Sequence, residues 1–389
     1  MTFKAGKLAQ FADIQTGPFG SQLHASDYVE FGIPSIMPQD IKNNQIDSSS
    51  IARIKETDAK RLEKYRVQKG DIVFSRRGDV ERHALIGENE QGWLCGTGCL
   101  RVRVVSEEVI PEYLQYYLST TESCAWIRHH AHGSTMPNLN TTILGDVPIN
   151  YPDIDQQRSI CNLLGVLDRK IKTNIDINDN LQQQTTALFA NFYDHLEEEV
   201  GFTEIIQILG GGTPKTGESS YWNGNIPFFT PKDVGSPYTL ATEKTITEEG
   251  LAHCNSRLYP INTVFVTARG TVGKVGLPGV PMAMNQSCYA LNGKGTHQLL
   301  VYFYTLKAVD RLKHKASGAV FDAITTRDFE SEHVMKLSDD DEKAFLNVAE
   351  PMYQAILSNS IENMRLSALR DSLLPKLMSG EIDLSNIQF

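Results

Sequence analysis

The chain lacks the marks of an enzyme that works alone. No Gly-x-x-x-x-Gly-Lys-Ser/Thr phosphate loop occurs: "GTVGKVG" (270–276) has the Gly-Lys pair but neither the earlier glycine nor the hydroxyl. Glu-x-Lys is absent, which weakens the case for a common type of metal-dependent nuclease site, and there is no Pro-Pro-aromatic tetrapeptide of the adenine-methyltransferase kind. The six cysteines are scattered without a Cys-x-x-Cys pair, which argues against a disulfide framework and a zinc ribbon and fits a reducing cytosol. No apolar run approaches the roughly 20 residues needed to cross a bilayer, and "MTFKAGKLAQFADIQTG" lacks the apolar stretch of a signal peptide. These absences predict a soluble cytoplasmic protein with no membrane partner.

What is present is apolar enough to fold, at 41% hydrophobic residues, and at 389 residues long enough for two or three domains. The net charge of −10 argues at first against nucleic acid, but its distribution does not. Residues 1–150 carry 16 basic and 18 acidic side chains, and residues 201–338 carry 13 and 11. Residues 151–200 and 339–389 carry 4 basic and 9 acidic each, so the surplus acid sits in two short segments. A near-neutral domain can hold a local basic face.

The chain is written twice. "IPSIMPQDI" (33–41) returns as "IPFFTPKDV" (226–234), placing Ile33, Pro34, Pro38 and Asp40 on Ile226, Pro227, Pro231 and Asp233 at an offset of 193. At 192, "IVFSRRGDVER" (72–82) lies on "VFVTARGTVGK" (264–274). At 185, "RHHAHGS" (128–134) lies on "KHKASGA" (313–319), and Leu181 and Leu188 fall on Leu366 and Leu373. A unit of about 190 residues is far longer than a solenoid repeat, so this is tandem duplication of a whole module.

Each copy opens with a mixed part carrying short strand-like runs such as "GDIVFS" and "NTVFVT", bounded by turn residues. A short helical stretch follows, then an acidic segment with heptad spacing. In the first copy the seam falls at 160, 164, 167, 171, 174, 178, 181, 185, 188 and 192, through Leu167, Ile171, Leu181 and Leu188. Shifted by 185 it runs through Met352, Ile356, Leu366 and Leu373. Asn174, Asn178 and Thr185, with Asn359, Asn363 and Arg370, put polar groups in this seam, which costs stability and fixes register. Pro351, matched by Gly165 and Val166, predicts a break in both helices, and some 25 uninterrupted residues would still span about 35–40 Å. The shared register favours two helices packed on each other.

Cationic positions recur where the copies otherwise diverge. Arg77 matches Arg269, Arg82 matches Lys274, and Arg128 to His130 match Lys313 to Lys315. Arginine forks onto phosphate or onto guanine, so the set suits nucleic acid. "RHHAHG", with His129, His130 and His132, has the look of a metal site, but its counterpart "KHKASG" keeps the charge and not the ligands, so phosphate contact is preferred to zinc. "GGGTPKT" (210–216) reads as a tight turn. The polar tracts "DIKNNQIDSSS" (40–50) and "ESSYWNGN" (218–225) carry residue types that read base edges, although each residue alone reads as surface loop.

Several phrases resemble the specificity subunit of type I restriction–modification systems. They are "TGPFGSQLHASDY" (16–28), "GDIVFSRRGDV" (70–80), "GSTMPNLN" (133–140), "GGTPKT" with "YWNGNIPFF" (211–229), and "LRDSLLPKLMSGEI" (369–382). The resemblance covers essentially the whole chain. It implies an α+β fold: a duplicated target recognition domain, each followed by a long helix, with the two helices pairing as an antiparallel coiled-coil spacer. The expected divisions are 1–152 and 200–338 for the recognition domains, 153–199 and 339–389 for the conserved helical regions.

The resemblance further implies that each domain reads one half of a bipartite, asymmetric site in double-stranded DNA. The helices would dock two modification subunits, which are N6-adenine methyltransferases, and restriction subunits would join them. No catalytic residue, metal or cofactor is then expected in this chain; the partners would use S-adenosylmethionine, ATP and magnesium. Candidate DNA contacts in the first copy are Ser21, Gln22, Lys42 and Asn43, the arginines Arg76, Arg77 and Arg82, and Arg128, His130, Ser134 and Asn138. In the second copy they are Lys215, Thr216, Tyr221, Trp222 and Lys232, then Arg269, Lys274, Lys313, Lys315 and Arg327. The rival readings are recognition for another adenine-methyltransferase system, a duplicated protein-binding scaffold without DNA contact, and a nuclease with an unrecognised site.

Overall fold

A computed structural model describes residues 2–133, 136–196, 199–235, 237–315 and 323–384. The chain forms two compact units, the first made of 1–169 with 366–389 and the second of 170–365.

Both units are built on the same antiparallel sheet. In unit 1 its strands lie in the order Ala12–Thr16, Cys99–Val104, Ile72–Ser75, His83–Leu85. In unit 2 the order is Ile206–Gly210, Cys288–Gly293, Val264–Thr267, Val275–Pro278, with Tyr238–Thr239 added at the edge. The duplicated run "IVFS"/"VFVT" forms an inner strand in each. Alternate side chains leave opposite faces of a strand. Ile72 and Phe74 therefore enter one core and Val73 another, and Val264 and Val266 are likewise separated from Phe265. Burial on both faces is why the run is continuously apolar.

A second, smaller sheet also repeats. Ile33–Ile36 pairs parallel with Leu94–Cys95 and antiparallel with Arg53–Ile54. Trp222–Phe229 pairs in the same senses with Ala283–Met284 and Lys244–Ile246. The repeated aspartate of the Ile-Pro phrase closes the turn that follows. Asp40 Oδ2 accepts from the Met37 N–H at 2.8 Å, and Asp233 Oδ2 from the Thr230 N–H at 2.8 Å. Asp40 is buried, and desolvation holds its carboxyl above the usual range. The phrase is thus a turn cap.

The two long helices are Ile154–Tyr193 and Asp339–Met378, 40 residues each, or roughly 60 Å at the helical rise. The predicted breaks do not occur. Pro351 sits on the exposed side of its helix, where the carbonyl it leaves unpaired, that of exposed Asn347, is open to water. Buried Phe345, Ala349, Tyr353 and Ile356 on either side anchor the helix through this point, and it runs on without a break. Pro375 is tolerated in the same helix near its end. Gly165 costs only about 1 kcal/mol in a helix interior, less than its packed neighbours Leu164 and Leu167 return.

The helices run antiparallel. Asp168 pairs with Arg370 at 2.8 Å, Asn174 with Asn363 at 2.8 Å and Asn178 with Asn359 at 2.9 Å, and Phe189 meets Phe345. Ile356 is fully buried, and Leu181 and Leu188 pack on the same core, while Leu373 packs in unit 1. Leu167, Ile171, Met352 and Leu366 are half-buried. Two polar seam groups, Asn174 and Thr185, are as secluded as the apolar ones, at 0% exposure.

A sign reversal is expected here. Asn178→Leu alone should destabilise by about 1–2 kcal/mol, because it strands the Asn359 amide. Asn178→Leu with Asn359→Leu should be neutral or stabilising, since both partners then leave together. Thermal unfolding of the singles and the double checks it; additive losses would show that the pair is not a coupled hydrogen bond.

Candidate nucleic-acid interface

The recurrent cations sit on one structural device, built twice. The inner strand ends in Ser75 or Thr267, and the chain then makes a turn that returns to the next strand. Ser75 N–H donates to Arg82 O at 2.8 Å, and Thr267 N–H to Lys274 O at 2.9 Å, closing the turn at its neck. The hydroxyl bonds inside it: Ser75 Oγ donates to Arg77 O at 3.0 Å, and Thr267 Oγ1 to Thr271 O. Gly78 and Gly270 have φ of +75° and +81°, a conformation that favours glycine. The outer side is pinned identically. Leu139 N–H donates to Arg76 O at 2.8 Å, and Ile324 N–H to Ala268 O at 2.9 Å. Arg77 and Arg269 both lie exposed beside that pin, forming isolated bridges to Asn138 and Ala323.

In unit 2 this turn borders an open cleft of about 500 Å³, lined by Thr230, Lys232, Lys244, Arg269, Asn285 and Ser287 among others. Glu243 is the one acidic residue lining it among the described residues, 4.0 Å from Lys232. In unit 1 the turn borders a cleft of about 440 Å³ that holds Asn44, Arg82 and Arg128 beside Asp79 and Glu81. There Arg82 pairs with Asp79, and Arg128 forks onto Glu81 at 2.7 and 2.8 Å. His83 lies beneath, fully buried, its Nδ1 2.8 Å from Glu81 O; burial lowers its pKa and keeps the ring neutral.

The remaining candidates fall outside this cluster or are engaged in it. Gln22 is tied to the Tyr65 hydroxyl at 2.8 Å, and Ser21 is exposed beside it. Lys42 pairs with Asp47 at 2.7 Å. Asn43 and Asn44 have φ of +49° and +60° and form the two-residue tip of the hairpin joining Ile41–Lys42 to Gln45–Ile46. Arg76 lies 5.6 Å from the Phe19 ring, and half-buried Asn138 has an Oδ1 without a hydrogen bond among the described residues. His130 stacks on Trp126 at 3.9 Å, and no group of three metal-ligating side chains exists among the described residues. Ser134 lies outside the described residues.

In unit 2, Lys215 and Thr216 are exposed, and Lys215 O accepts from Trp222 Nε1 at 3.2 Å. Tyr221 stacks on His253, and the Trp222 ring stands edge-on to Phe228. Lys315 pairs with Glu332, a carboxylate only 1% exposed, so its role is internal. Arg327 is exposed on the short helix Thr326–Glu330. Lys244, Asn285 and Ser287 belong to the cleft but not to any repeated phrase, which is why sequence reasoning passed over them.

Comparison with known proteins gives this arrangement a family. A model described as the type I restriction modification DNA specificity domain matches residues 2–183 and again 197–336. The HindI specificity subunit of Haemophilus influenzae is 21% identical, covering 88% of this chain and 93% of that protein. The MjaIX specificity subunit of Methanocaldococcus jannaschii is 22% identical, covering 90% and 87%. The crystal structure of a type I restriction–modification S subunit from M. genitalium shares the fold, with a TM-score of 0.59 at 14% identity over 97% of this chain and 96% of that one. No helix among the described residues is long and apolar enough to cross a membrane. With the specificity domain present twice and relatives matching along nearly its full length, the chain belongs to the type I restriction–modification specificity subunits, whose general role is DNA target recognition.

Proposed function

We propose that each unit reads one half of a bipartite, asymmetric target in double-stranded DNA. The observation that carries this reading is the cationic turn built twice on the same inner strand, with an exposed arginine, Arg77 or Arg269, beside the same backbone pin. The surfaces around it differ between copies, in the polar hairpin of the first and the lysine-lined cleft of the second. Shared scaffolds with different linings suit two different half-sites. The candidate contacts from Ser21 to Arg327 carry unequal weight, with those bound to internal acids set below Arg77, Arg269, Lys274 and Lys313.

The unbroken antiparallel helices support a spacer role, since a fixed separation of half-sites requires a stiff element. Their acidic surface suits protein partners, here two N6-adenine methyltransferase subunits with restriction subunits joining them. In this reading S-adenosylmethionine, ATP and magnesium belong to the partners, and this chain contributes recognition. Adenine methylation should be mapped in cells expressing the cognate methyltransferase with and without this gene. A split motif is expected only with the gene, and exchanging residues 1–150 should change one half of it. Identical methylation in both samples would move the protein to the scaffold reading.

A further inference from the structure

The two turns differ in what faces their cations. In the first copy Asp79 engages Arg82, and Glu81 accepts from Nε and Nη2 of the Arg128 guanidinium. The equivalent positions in the second copy are Thr271 and Gly273, so both acids are missing while the cations, Lys274 and Lys313, remain. The geometry shows the same contact with the acid removed. Gly273 has φ of +74°, and a Cβ there would lie 2.5 Å from Lys313 Cε, so the lysine stem passes over the site where the first copy carries its glutamate. Thr271 turns its hydroxyl inward to Pro231 O at 3.1 Å. The ammonium groups of Lys274 and Lys313 have no ion pair or hydrogen bond among the described residues.

We propose that this turn is the phosphate anchor of the protein: Lys274 and Lys313, with Arg269 beside them, neutralise DNA backbone phosphates, whereas Arg82 and Arg128 serve the internal structure of unit 1. The proposal rests on the DNA-recognition reading above. Its physical basis is counterion release, which a cation drives only when it is free to neutralise a phosphate. An arginine already forked onto a glutamate would have to abandon one anion to take another. The electrostatic part of binding is therefore asymmetric between the two units, with sequence-independent affinity concentrated in the second.

The test uses the chain assembled with its methyltransferase subunits, and a random-sequence 40-base-pair duplex across a salt series. Each phosphate contact contributes about 0.9 to the slope of log K against log salt. Lys274→Gln with Lys313→Gln should lower that slope by about 2, and Lys274→Arg with Lys313→Arg should keep it, which separates charge from packing. Arg82→Gln with Arg128→Gln should leave it unchanged. An unchanged slope in the lysine-to-glutamine variant, or an equal fall in the arginine variant, overturns the proposal. A second duplex carrying the mapped methylation motif keeps the two readings apart: wild type showing no preference for it removes the recognition reading, while the slopes on random DNA still decide the anchor.

Discussion

Phe189→Ala should destabilise unit 2 by about 3–5 kcal/mol, the usual range for emptying a buried aromatic site. The ring is 2% exposed and stands among Tyr193, Phe303, Tyr304 and Phe345, with centroids 4.8 to 5.8 Å away. Those partners come from both long helices and from the helix Gln298–Lys315, so one side chain ties three elements together. None can close the space without breaking its own stack. Calorimetry of the assembled protein should show the transition of unit 2 lowered by about 8–15 °C. Phe189→Leu should lose less than half as much. A loss below about 1 kcal/mol for the alanine variant would mean that the cluster refills freely and is not what fixes the helices to the sheet.

Arg103→Met should cost unit 1 about 2–4 kcal/mol by stranding a buried carboxylate. Asp71 is 2% exposed and takes two bonds from Arg103, at 2.7 and 2.6 Å. It also caps its own turn by accepting from the Gln68 N–H at 2.7 Å. The lower part of the range applies because Arg103 is about one-quarter exposed and water can reach its place. Asp71→Asn added to Arg103→Met should recover much of the loss, since the neutral amide no longer demands a cation. Denaturant unfolding of both singles and the double checks this, and strict additivity would refute the pairing as the cause. The site consequence is direct: Asp71 immediately precedes the strand that ends in the arginine turn.

The duplication was legible because its two carriers are local. A strand buried on both faces must be continuously apolar, and a turn with positive φ keeps its glycine, so "IVFSRRG" and "VFVTARG" still match. The middle of the helix seam was legible for the same reason, through Asn174, Asn178 and Thr185. Toward the helix ends the buried positions, Phe189, Tyr193, Tyr353 and Leu374, lie one residue past those the heptad spacing gave. The predicted break at Pro351 failed because a local penalty of about 3 kcal/mol was weighed without the buried neighbours that outweigh it. The charge state of the candidate site was not legible at all. Arg128 and Glu81 lie 47 residues apart, and Lys315 reaches a buried Glu332 that no periodicity marks. A recurrent cation therefore announced a shared position but not whether the position was occupied by an internal anion.

The composition of unit 1 bears on how the protein comes into being on the ribosome. Its core includes Leu374, Leu377, Met378 and Leu384, from the far end of the chain, beside Phe74 and Leu100 from the near end. All of unit 2 is synthesised in between. The part translated first thus waits longest for its last pieces, and must hold an incomplete apolar face through the synthesis of the whole second unit. Long-range closure of this kind is slow and exposes sticky surface meanwhile. The nascent first unit is where a chaperone or an early-arriving partner would have most to protect.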